Sequence, residues 1–121
     1  MVKALFDTNV LIDYLNGIGA AKKELARYDY HAISTITWME VLAGASAEDE
    51  GAIRAWLDAF EVIALDAAIA NRAVAIRKAK RLRLPDAIVW ASAQVHSLLL
   101  VSRNTKDFPA DEPGVRVPYK L

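Results

Sequence analysis

The chain is punctuated by short apolar runs that each stop at a polar residue. Val2–Phe6 stops at Asp7, Ala32–Ser34 at Thr35, Val62–Leu65 at Asp66 and Leu98–Val101 at Ser102. Between them lie longer stretches with apolar residues at helical spacing. Short strands alternating with helices predict a parallel sheet covered on both faces. Strands buried on both faces need no polar alternation, which is why the runs are nearly all apolar. At 121 residues the chain is expected to form one α/β domain over 1–121.

The helical stretches have readable boundaries. Thr8–Leu15 places Val10, Leu11, Tyr14 and Leu15 on one side and stops near Asn16-Gly17. Ala20–Tyr28 follows. Thr35–Leu42 ends near Gly44, and Thr37-Trp-Met-Glu40 has the spacing of a capping box. Ser46-Ala-Glu-Asp49 marks the start of a helix burying Ile53, Trp56, Leu57 and Phe60. Asp66 is placed to cap a long helix reaching Arg81, and Pro85 suits the first turn of a helix ending near His96. Val115–Val117 is expected as a fifth strand at an edge.

Cysteine is absent, which excludes disulfides, iron–sulfur clusters and thiol catalysis. Only His31 and His96 offer imidazole, so a metal site here must be mostly oxygen and suited to a hard ion. No signal peptide or spanning segment is read, so a cytoplasmic protein without a membrane partner is expected. Formal net charge is zero, yet residues 1–66 hold 5 basic and 11 acidic residues while 67–121 hold 10 basic and 4 acidic. That asymmetry permits nucleic-acid binding on one face.

In open α/β sheets, ligands bind beyond the carboxyl ends of the strands. Asp7 follows the first strand, Ser34 and Thr35 the second, and Glu40 lies on the helix just after. Asp86 opens the helix before the fourth strand, and Ser102, Arg103, Asn104 and Asp107 follow that strand. Each has an ordinary alternative: Asp7 as a helix cap, Glu40 in the capping box, Asp86 complementing a helix dipole, Asn104 and Asp107 making Asx turns. The apolar surroundings of Glu40 and Asp86 argue against simple solvated caps. Two carboxylates at 4 Å repel by about 4 kcal/mol at an effective dielectric of ~20, a cost that a divalent cation removes. The chemistry implied is metal-assisted phosphodiester hydrolysis. No Gly-Lys-Ser/Thr phosphate loop occurs, and Asn9 stands where a haloacid-dehalogenase-like phosphatase needs a second Asp.

FDTNVLIDYL at 6–15, ISTITWMEVLAG at 33–44, LPDAIVWASA at 84–93 and LLVSRNTKDF at 99–108 together resemble a PIN domain of the VapC toxin type. The resemblance spans nearly the whole chain. It implies a three-layer fold with a central parallel sheet of four or five short strands, and a Mg²⁺ or Mn²⁺ site that cleaves RNA. Carried over by position, Asp7, Glu40 and Asp86 are metal-binding and catalytic acids. The fourth position falls on Asn104 or Asp107. Thr8 and Asn9 would orient Asp7, with Ser34, Thr35 and Ser102 in supporting roles. The resemblance further implies a VapB-type antitoxin partner and a homodimer. A housekeeping PIN ribonuclease and a catalytically degenerate PIN binding module are the alternatives.

Arg77, Lys78, Lys80, Arg81 and Arg83 crowd one segment. They suit a solvated helix end; as phosphate contacts, Arg77, Lys80 and Arg81 are the candidates. Arg103 is placed to bind RNA or to anchor its loop. His31, His96 and the three tryptophans read as structural.

Overall fold

The computed structural model describes residues 2–121. The elements run β1 (Ala4–Phe6), α1 (Thr8–Leu15), α2 (Gly19–Ala26), β2 (His31–Ser34), α3 (Thr35–Ala43), α4 (Glu50–Leu57), β3 (Glu61–Ile63), α5 (Ala67–Lys80), α6 (Leu84–Val95), β4 (Leu99–Val101) and β5 (Val115–Arg116). All five strands are parallel, in the order β3-β2-β1-β4-β5. The α/β architecture and the edge position of the last strand agree with the sequence reading.

Alternation along each strand divides the core into two layers. Leu5, Ala32 and Leu100 face one side, where they pack with Ile69, Ala73 and Ile76 of α5 and Ala87–Ala91 of α6. Ala4, Phe6, Ile33 and Val101 face the other, against Val10 and Leu11 of α1, Leu25 of α2, Val41 of α3 and Leu57 of α4. Helices thus cover both faces, giving the expected three layers. The middle strand β1 is wholly buried. Trp90 meets Phe108 edge-on at 5.4 Å in the first layer, while Tyr14 stacks on Trp56 at 4.9 Å in the second.

Several boundaries differ from expectation, for local reasons. β1 begins at Ala4, and Val2 is exposed. β3 is Glu61–Ile63, not Val62–Leu65, because its register pairs Glu61, Val62 and Ile63 with Ala32, Ile33 and Ser34. Leu65 lies beyond the ladder and is exposed. Ser46 caps a preceding turn through Asp49 N–H at 3.2 Å, and α4 itself starts at Glu50. Its Leu57 is buried, whereas Ile53 and Trp56 are only partly covered. Arg81 ends α5 in the left-handed conformation, at φ 57°.

Candidate metal centre

The strand order reverses between β1 and β4: β1 is followed by β2 and β3 on one side, while β4 and β5 lie on the other. Carboxyl ends of strands at such a reversal form a crevice. Asp7 leaves β1 there, and Ser102 leaves β4. Asp7 continues the ladder, its N–H donating to Val101 O at 2.9 Å. It then caps α1, with Oδ1 accepting from Thr8 N–H at 2.8 Å. Helix cap and buried acid are here the same residue.

The other oxygen of Asp7 is held by side chains. Oδ2 accepts from Ser102 Oγ at 2.7 Å and from Asn9 Nδ2 at 3.2 Å. Ser102 Oγ itself accepts from Asn104 N–H at 3.0 Å and from Asn9 Nδ2 at 3.2 Å. With its lone pairs engaged, its proton is directed onto Asp7. Asn9 Oδ1 accepts from Arg103 N–H at 3.1 Å, which turns the amide nitrogen toward Asp7 and Ser102.

Despite these donors, the Asp7 carboxyl is pushed up to about 6. Burial is the main cause, and the charges of Asp86 and Glu40 act in the same direction. Asp86, half-buried in the first turn of α6, is also raised by burial and by the charges of Asp107 and Glu40. Arg83 Nε, 3.2 Å from Asp86 Oδ2, opposes that shift. Asp7 thus feels the charges of Asp86 and Glu40, and Asp86 those of Asp107 and Glu40.

Glu40 is not part of a capping box. Ser34 caps α3, accepting from Ile36 N–H at 3.1 Å, and Thr37 lies inside the first turn. Glu40 Oε1 instead accepts from the Thr8 hydroxyl at 2.7 Å, across from α1. The fully buried Thr37 hydroxyl meets Thr8 Oγ1 at 3.1 Å. Thr8 thereby links the first two acids, through its N–H to Asp7 and its hydroxyl to Glu40. Sequence reading missed Thr37 because its place in a capping spacing concealed it.

Asn104 and Asp107, the two candidates for the fourth position, are bonded to each other. Asn104 Nδ2 donates to Asp107 Oδ2 at 2.9 Å, and Asn104 Oδ1 accepts from Asp107 N–H at 3.3 Å. The amide thus holds Asp107, and the charge acting on Asp86 is that of Asp107. Ser34 and Thr35 bond within the fold and not to the acids. Ser34 caps α3, and Thr35 Oγ1 donates to Ile63 O at 2.9 Å, fixing β3 against the α3 start.

The basic candidates are largely committed within the fold. Arg77 Nη1 donates to Leu82 O at 2.6 Å, and Lys80 Nζ reaches Glu112 Oε1 at 2.8 Å. Arg81 is a helix terminus. Of the two roles expected for Arg103, the structure gives it the loop anchor: Nε and Nη2 donate to Asp13 at 2.7 and 3.1 Å. Asp13, also missed in the sequence, is buried on α1 one turn beyond Asn9.

Among the described residues, no three His, Asp or Glu side chains are grouped closely enough to hold a metal ion as they stand. The donor set nevertheless fits a hard dication. It is all oxygen, and its buried carboxyls, Asp7 and Asp86, are raised chiefly by burial, with neighbouring carboxylates adding to the shift. Mg²⁺ commonly takes few protein carboxylates and keeps several waters, which suits acids spaced around an open face. A cavity of about 600 Å³ between Lys3, Trp90 and Gly114 opens at the amino ends of the strands and has no carboxylate in its lining.

Residues 4–110 match the PIN domain family model. No curated protein sequence matches the chain. Among solved structures, a toxin–antitoxin complex from Klebsiella pneumoniae contains a chain 49% identical, with a TM-score of 0.94, covering 98% of this chain and 100% of that one. FitAcB from Neisseria gonorrhoeae is 23% identical with a TM-score of 0.80, covering 98% and 99%. DNA-bound VapBC from Salmonella typhimurium is 23% identical with a TM-score of 0.78, covering 96% of each chain. At that identity the last two speak for the fold alone. With a family match over most of its length and a near-identical fold in a half-identical relative, this chain belongs to the PIN-domain family.

Proposed function

We propose that this protein is a divalent-metal-dependent endoribonuclease serving as the toxin of a toxin–antitoxin pair. The observation that carries the reading is Asp7, 6% exposed at the β1/β4 reversal and raised by burial together with the charges of Asp86 and Glu40. Asp7, Glu40, Asp86 and Asp107 would hold a Mg²⁺ or Mn²⁺ ion. When bound, that ion would supply Lewis acidity toward water and toward a phosphoryl oxygen. Hydrogen bonds from Thr8 and Ser102 favour the ionised form of Asp7, and Asn9 helps to fix its carboxylate. Asn104 fixes Asp107.

The 49%-identical relative comes from a toxin–antitoxin complex, which supports a VapB-type antitoxin as partner. We also propose a homodimer, for which the exposed apolar side chains of Val62, Leu65, Val74 and Leu84 are candidate contacts. Among the described residues, no helix is long and apolar enough to cross a membrane.

Cleavage of single-stranded RNA with Mg²⁺ or Mn²⁺, with and without EDTA, tests the nuclease reading. The expected result is endonucleolytic cleavage lost in EDTA and reduced at least 100-fold in folded Asp7→Asn. Undiminished cleavage by that variant rejects it. Growth arrest on expression, relieved by the protein encoded beside it, tests the toxin assignment.

A further inference from the structure

Two carboxylates are buried outside the acidic face, Asp13 and Glu24. Each takes a forked arginine and a tyrosine hydroxyl. Glu24 accepts from Arg116 at 2.7 and 3.1 Å and from Tyr28 at 3.0 Å. It ties the edge strand β5 to α2. Asp13 accepts from Arg103 at 2.7 and 3.1 Å and from the Tyr119 hydroxyl at 2.7 Å. Its arginine lies between Ser102 and Asn104, in the loop that supplies the contacts to Asp7 and Asp107.

Asn9 and Asp13 are four residues apart on α1, so one helix face meets this loop at two points. Asn9 takes the Arg103 N–H, and Asp13 takes its guanidinium. A third hold comes from the far side, where Ser102 N–H donates to Arg116 O at 3.1 Å. Tyr119, near the C-terminus, closes the arrangement by sharing Asp13 Oδ2 with Arg103. Bidentate arginine–carboxylate geometry fixes orientation as well as distance. A buried ion pair is weak evidence for stability, so a role in fixing geometry deserves its own test.

We propose that Asp13, Arg103 and Tyr119 form a clamp of positioning residues that sets Ser102 against Asp7, so that the C-terminal segment helps determine how well the acidic site holds its metal. Because the metal site is itself part of the nuclease reading above, the clamp needs a readout that does not depend on cleavage. The amides of Ser102, Arg103 and Asn104 donate to Arg116 O, Asn9 Oδ1 and Ser102 Oγ, acceptors that lie beside the clamp and not in it. A clamp that holds the loop therefore slows their exchange indirectly, and opening it should speed that exchange.

The test compares wild type with Asp13→Asn, Tyr119→Phe and Arg103→Lys by hydrogen exchange, Mn²⁺ titration calorimetry and RNA cleavage below the melting temperature. Tyr119→Phe keeps the ring and removes one hydroxyl, so it serves if Asp13→Asn does not fold. The expected result is faster exchange confined to residues 102–104, with Mn²⁺ affinity and kcat down about tenfold at unchanged KM for RNA. Arg103→Lys, which keeps the charge without the fork, should show an intermediate loss. Unchanged exchange in Tyr119→Phe overturns the clamp. Faster exchange with wild-type Mn²⁺ affinity also overturns its positioning role. A wild type that fails to cleave RNA rejects the nuclease reading, while exchange and Mn²⁺ affinity still decide the clamp.

Discussion

The Ser102 hydroxyl lies 2.7 Å from Oδ2 of Asp7, a bond between residues 95 positions apart in sequence. It spans the two strand ends where the sheet order reverses. β1 and β4 are paired up to Phe6 and Val101, and the Asp7 N–H adds one more backbone bond, to Val101 O. Beyond that bond, side chains take over from backbone. The acidic site starts where the ladder ends.

Removing the Ser102 hydroxyl leaves Asp7 without the largest of the contacts that lower its pKa. Ser102→Ala should raise that pKa above about 6 and shift the acid limb of the kcat/KM pH profile upward. Loss of a hydrogen bond to a buried charged group should also cost about 1–3 kcal/mol at pH 7 in EDTA. Urea denaturation and the pH profile measure both. An unmoved acid limb would show that Asp7 does not control the rate.

Asp7 also fixes the sign of a pH effect on stability. Its folded pKa, about 6, exceeds its ordinary 3.8. Such a group favours the folded state fully below its unfolded pKa and loses that contribution as pH rises through the folded value. The window is therefore pH 4 to 6. Each pKa unit corresponds to about 1.4 kcal/mol, so the loss approaches about 3 kcal/mol. Asp7→Asn lacks this titration. Its stability relative to wild type should therefore improve between pH 4 and pH 7 in EDTA, as read from paired melting curves. The comparison also separates Asp7 from the other titrating groups, since both proteins carry them. A difference independent of pH would show that the Asp7 carboxyl is not raised.

The strand ends were readable because apolar runs that stop at a polar residue mark where a buried strand meets the crevice. Asp7 and Ser102 are such stops. Asp86 was readable because a helix start before β4 returns to the same edge. What spacing does not specify is the direction of a side chain. Thr37 and Glu40 have capping-box spacing, yet Ser34 caps the helix and Glu40 turns to Thr8. The choice between Asn104 and Asp107 likewise depended on which way the amide points. Asp13 and Arg103, 90 positions apart, carry no local pattern that joins them. Strand β3 starts one residue and ends two residues earlier than expected because pairing with β2, rather than apolar content, set its limits.

Asn104→Asp tests the division of labour at the fourth position. A carboxylate at 104 would face Asp107 where the amide now donates at 2.9 Å. Two like charges about 4 Å apart repel by about 1 kcal/mol in water and about 4 at an effective dielectric of 20. In EDTA the variant should melt below wild type. Mg²⁺ should narrow the gap more than an ionic-strength-matched potassium salt does, because the ion would neutralise both acids. A variant as stable as wild type in EDTA would mean that Asn104 does not hold Asp107.

Arg81 separates a structural role from an RNA contact. It closes α5 at φ 57°, a conformation that costs an L-residue roughly 1–2 kcal/mol and glycine almost nothing. Its N–H bonds to Arg77 O at 2.8 Å, a backbone contact that glycine retains. Arg81→Gly should therefore stabilise the protein by about 1 kcal/mol in urea denaturation. If the side chain also contacts phosphate, the same change should weaken RNA binding and reduce the slope of log affinity against log salt by about one. The two readouts move in opposite directions, so loss of fold cannot imitate loss of contact. A stabilised variant with an unchanged salt slope would make Arg81 a helix terminus alone and turn the search for RNA contacts to the remaining cations.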